Sequence, residues 1–135
     1  MSGGKSVSEE RPDEDGVVAS GFELVEIAEV ERLLAGEGRT PFTSGEMAYA
    51  RARSDPARRL AARLAAKRAA CRLLEGGIDE TDVEVVRGRY GPPRLRLSAR
   101  AQDVLSARGA KETLVSLTHE RSHAAAVVLF LEEAR

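Results

Sequence analysis

RLAARLAAKRAACRLL, residues 59–74, decides the fold, because it is the longest uninterrupted run of strong helix formers in the chain. On a helix turning about 100° per residue, Leu60, Leu64, Cys71 and Leu74 fall in one apolar stripe, with Lys67 in its middle. Two readings of that lysine stand side by side. Its stem packs along the stripe while the ammonium snorkels to water, or the ammonium points into a cleft where an anion binds. Arg68 and Arg72 flank the stripe one turn apart. Alanines at 61, 62, 65, 66, 69 and 70 leave room for a neighbouring backbone, so the helix is expected to be a buried strut with a basic edge.

Around this helix the chain reads in order. Residues 1–16 are polar and rich in Gly, Ser and acid, and are expected to be a disordered tail ahead of one domain at 17–135. VVASGFELV (17–25) reads as a strand in which Gly21 marks a bulge or a close approach. Ile27, Val30, Leu33 and Leu34 follow helical spacing up to Gly36 and Gly38. Thr43 and Glu46 have capping-box spacing for a short helix from Ser44 to about Arg53, and Asp55-Pro56 opens the central helix. Gly76 and Gly77 stop it.

DVEVV (82–86) and RLRL (94–97) alternate about a Tyr90-Gly91-Pro92-Pro93 turn and predict a hairpin. Ser98 caps a helix to about Arg108. Residues 113–119 and 123–131 form a terminal hairpin, and the class is α+β with an antiparallel sheet.

One cysteine allows no internal disulfide and suits a reducing cytoplasm, and no run is long enough to span a membrane. The net charge of −1 hides an uneven distribution. Arg51, Arg53, Arg58, Arg59, Arg63, Lys67, Arg68 and Arg72 face only Asp55 over residues 51–72, which points to a phosphate-bearing ligand or an acidic partner. Nucleic acid is poorly supported, since three Phe and two Tyr are the only aromatics and none interleaves with the basic run.

Glu23 is an acid in an apolar strand, Lys67-Arg68 with Arg72 is a basic edge, and His119 ends a strand beside a turn. Singly, each has an ordinary structural explanation. Together, the blocks GFELVEI (21–27), Phe42-Thr43 with Glu46, residues 59–74, DVEV (82–85), Gly91-Pro92-Pro93 and VSLTHE (115–120) make the chain resemble the holo-acyl-carrier-protein synthase family of 4'-phosphopantetheinyl transferases.

The resemblance implies an α+β fold, its antiparallel sheet packed on a long central helix, in a homotrimer that holds coenzyme A between subunits. It implies transfer of phosphopantetheine to a serine of an acyl carrier protein, with Mg²⁺ held by an Asp and a Glu. Here those two positions are Glu23 and Arg68, and Glu29 stands where the family commonly has an arginine facing the carrier. By resemblance, Glu23, Lys67, Arg68 and His119 are the catalytic candidates, and Arg63, Lys67, Arg72, Gly76, Gly77 and His119 the cofactor contacts. Glu23 alone remains as a weak or absent metal ligand. Arg68 cannot coordinate Mg²⁺; it pairs with Glu23 or contacts a phosphate. The residues therefore favour a protein that binds coenzyme A or a carrier with its magnesium-dependent transfer lost or altered, and the alternative is an active, divergent transferase.

Overall fold

The computed structural model describes residues 16–133. The acidic tail expected at 1–16 lies, apart from Gly16, outside the described residues. Strand β1 (Val17–Glu26) runs straight into helix α1 (Ile27–Ala35), and the first amide of α1 is satisfied by the Ser122 carbonyl, 2.9 Å away. Helix α2 (Ser44–Arg51) starts with the capping box the sequence announced: Thr43 Oγ1 accepts from the Glu46 amide, and Glu46 Oε1 accepts from the Thr43 amide. Helix α3 (Pro56–Leu74) is the central strut, opened by Pro56 in its first turn. A 3-10 turn (Glu80–Asp82) leads into β2 (Val83–Arg87) and β3 (Pro93–Leu97), followed by α4 (Ala99–Ala107), β4 (Glu112–His119) and β5 (His123–Leu131).

The strands form two antiparallel units. β5 lies between β1 and β4, while β2 and β3 pair only with each other. The first strand thus joins the terminal hairpin as an edge, a long-range pairing that local periodicity does not encode. Register places Glu23 level with Ala126 and Leu117, and Val25 level with Ala124 and His119. The register irregularity falls at Val17/Ala19 rather than at Gly21. Gly21 is a close approach instead, since a Cβ there would meet the Leu73 side chain at 3.3 Å.

Helix α3 is enclosed by the sheet on one side and by α1, α2 and β2 on others. Leu60, Leu64 and Leu74 are buried, and so are all six of its alanines from Ala61 to Ala70. Ala124 and Ala126 of β5 are buried on the sheet face opposite, and small residues on both partners let helix and sheet come close. Val128 and Phe130 finish the core. The opposite face of the three-stranded sheet is apolar and bare, with Phe22 58% and Leu24 57% exposed beside Val18, Leu114 and Val127. Among the described residues, no helix is long and apolar enough to cross a membrane.

Candidate active site

Lys67 is fully buried, and its Nζ lies 2.6 Å from Glu46 Oε1. It neither snorkels nor reaches a cleft, which corrects both readings of the sequence. The reason is the α2 capping box, which carries Glu46 down onto the central helix. Glu46 Oε2 also accepts from the Val85 amide at 2.7 Å, so one carboxylate ties α2, α3 and β2 together. A buried charge needs such partners, and removing one of a buried pair costs about 3–5 kcal/mol. Glu46 escaped the site reading because its capping role accounted for it.

Directly after Lys67 and one turn further on, the arginines expected on phosphate already hold carboxylates. Arg72 forms an ion pair with Glu23. Arg68 grips Glu29 with both terminal nitrogens, at 2.5 and 3.3 Å, and its Nε lies 3.8 Å from Glu80. The expected Arg68–Glu23 pairing is thus replaced by Arg68–Glu29 and Arg72–Glu23. The hydrogen bond to Arg68 holds the Glu29 carboxyl below the ordinary carboxylate value, against the effect of its burial.

This donor set does not suit Mg²⁺, which demands an octahedron of oxygens at short range. One oxygen donor position implied by the resemblance is a guanidinium, and the remaining carboxylate, Glu23, is ion-paired with Arg72, its Oε2 buried without a hydrogen-bond partner among the described residues. Among the described residues, no group of three or more His, Cys, Asp and Glu side chains could hold a metal ion.

The cations without carboxylates lie elsewhere. Arg63 is 3% exposed and donates from Nη1 to the Val85 carbonyl. Its guanidinium lies 4.0 Å from the Tyr49 ring centre, and that of Arg53 lies 4.4 Å from the same ring. One cavity is lined by Tyr49, Arg59, Arg63, Arg87, Leu117 and His119, and a neighbouring one by Tyr49, Arg53, Arg59, Arg87, Gly88 and Arg89. Asp55 answers Arg58 and Arg59. Among the described residues, no carboxylate pairs with Arg53, Arg63, Arg87 or Arg89. Positive charge is concentrated in this part of the surface. The basic run in the sequence pointed toward it; Tyr49, Arg87 and Arg89 were missed, because the hairpin that delivers the last two is remote in sequence.

His119 ends β4 on the sheet face that carries Glu23, and it lines the arginine cavity. Within one chain, β5 separates Glu23 from His119, so the expected catalytic residues form two groups. Gly76 and Gly77 sit in the turn after α3 with φ of +63° and +78°, following Glu75 at +61°. Nothing lies within 4 Å of where a side chain on either glycine would begin. Both glycines serve the reversal of the chain.

Holo-[acyl-carrier-protein] synthase of Thermus thermophilus is 46% identical over 127 residues, spanning 88% of this chain and 97% of that protein. The chain belongs to the holo-acyl-carrier-protein synthase family. No protein-family model matches it. The Mycobacterium tuberculosis acyl carrier protein synthase structure superposes with a TM-score of 0.69 at 35% identity, covering 87% of this chain and 100% of that one. The Chronobacterium ammoniagenes synthase–coenzyme A complex has the same fold, with a TM-score of 0.72 at 23% identity over 86% and 98% of the two chains. The holo-acyl-carrier-protein synthase fold is therefore the fold of this chain, including the antiparallel sheet on the central helix.

Proposed function

We propose that this protein transfers the 4'-phosphopantetheine arm of coenzyme A to a serine of an acyl carrier protein, using arginines rather than a bound magnesium ion to balance the phosphate charge. The observation that carries this is the cluster of Arg53, Arg63, Arg87 and Arg89 around Tyr49, bordering two neighbouring cavities and unpaired with any carboxylate among the described residues, in a chain 46% identical to a holo-acyl-carrier-protein synthase. The serine oxygen attacks the phosphorus bearing the pantetheine. The bond from that phosphorus to the bridging oxygen of 3',5'-ADP breaks, the leaving group carries the electron pair, and His119 takes the serine proton. Without cations at the pyrophosphate, that leaving group is expelled poorly.

This reading includes a homotrimer, on two grounds. The bare apolar sheet face with Phe22, Leu24 and Leu114 is the kind of surface that subunits cover, and a partner can bring its own His119 to the Glu23 side of a neighbour. The same reading puts the protein in the cytoplasm, where coenzyme A and carrier proteins meet. A second reading, binding of coenzyme A or a carrier without transfer, is favoured by one observation: Arg68 and Arg72 spend their charge on Glu29 and Glu23.

Mass spectrometry of apo carrier proteins incubated with the protein and coenzyme A separates the two. Transfer predicts the added mass of one phosphopantetheine arm, with a loss of about a hundredfold or more in His119→Ala. Inert wild type that still binds coenzyme A selects the second reading.

A further inference from the structure

Tyr49 stands at the centre of the unpaired cations without being one of them. It is half-buried on α2 and borders both arginine cavities. The two guanidiniums against its ring come from different places. Arg63 is anchored on α3 by its bond to the Val85 carbonyl, while Arg53 follows α2 one helical turn after Tyr49. Two like charges held against one ring repel, and a long side chain such as that of Arg53 loses rotamer freedom when it is held. An aromatic face attracts a cation through its quadrupole and compensates both costs before any ligand arrives. The phenol is drawn into the same cluster. Burial by itself raises its pKa, but hydrogen bonding to Arg53 and Arg63 and their charges outweigh burial and leave it below the ordinary phenol value.

We propose that Tyr49 is a positioning residue for anion binding: its ring holds Arg63 and Arg53 at the two neighbouring cavities it borders, which receive the phosphates of coenzyme A. This rests on the reading that coenzyme A binds here. The role belongs to the π-face, not to bulk or to the hydroxyl, and three substitutions separate these. Tyr49→Leu keeps an apolar side chain and removes the π-face, Tyr49→Phe keeps the ring and removes the hydroxyl, and Tyr49→Ala removes both.

The test is calorimetric titration with adenosine 3',5'-bisphosphate, with coenzyme A turnover and melting temperature measured on the same variants. Leu and Ala are expected to weaken bisphosphate affinity about tenfold and raise KM for coenzyme A to match, with kcat changed by less than about threefold. Phe is expected to recover affinity to within about threefold of wild type. Leu with wild-type affinity would overturn the proposal, and so would Phe as weak as Leu. Wild type that binds no bisphosphate would overturn the coenzyme A reading and this inference with it; wild type that binds while Leu is indifferent overturns the inference alone.

Discussion

Arg68 and Glu29 lie 39 positions apart in the chain, and the structure joins them in one bidentate contact. The guanidinium on α3 and the carboxylate on α1 balance each other locally, and position 68 offers no oxygen donor. Restoring an acid at 68 alone does not rebuild a metal site. Arg68→Glu would set a carboxylate against Glu29 and Glu80, and both partners are about one-third exposed, so the cost is about 0.5–1 kcal/mol. Arg68→Glu is therefore expected to melt a few degrees lower than wild type, and the double swap with Glu29→Arg to return most of that loss. A single variant as stable as wild type would show that the pair carries no coupling. A resemblance read from sequence compares one position at a time, and for that reason the pairing of Arg68 with Glu29 was not visible there.

Among the elements, α3 is held in place by chemistry as much as by packing. Lys67→Met leaves the Glu46 carboxylate buried without its counter-charge and is expected to cost about 3–5 kcal/mol, read from urea unfolding. Removing both charges with Glu46→Leu and Lys67→Met should cost less than Lys67→Met alone; an additive double variant would contradict a coupled pair. The 3-10 turn has its own anchor in Asp82. Hydrogen bonds from Arg100, from the Asp79 amide and from Ser98 hold its carboxyl down to about 2. Because the folded value lies below the unfolded one, its stabilisation is present above about pH 4 and is lost as pH falls toward 2. Wild type should therefore lose more stability than Asp82→Asn between pH 5 and pH 2.5; equal losses would remove Asp82 from the acid response. The elements themselves were legible in the sequence because caps and periodicity are local: Thr43 and Glu46 start α2, Pro56 starts α3, Ser98 starts α4. Helix α2 ends at Arg51, two residues short of the expected Arg53, and the β2 strand starts after Asp82, which the 3-10 turn claims.

For the whole molecule, the partnership of β1 with β5 and the meeting of Arg87 and Arg89 with Tyr49 around one cavity come from contacts far apart in sequence, which a pass along the chain cannot supply. The same long-range assembly leaves one sheet face bare and divides the functional residues between two groups. Phe22→Glu on that face is expected to convert a trimer into monomers in analytical ultracentrifugation and to lower transfer by about a hundredfold, since each site then lacks its neighbour. A wild-type monomer that turns over normally would contradict this. The source of the positive charge beside the pyrophosphate decides between an arginine-assisted and a metal-dependent transfer. The most direct measurement is the rate of phosphopantetheine transfer from coenzyme A to an apo carrier protein in excess chelator and then in millimolar Mg²⁺. Rates within a few-fold of each other are the predicted result. Transfer that vanishes in chelator and returns with one equivalent of ion, lost again in Glu23→Ala, would contradict it.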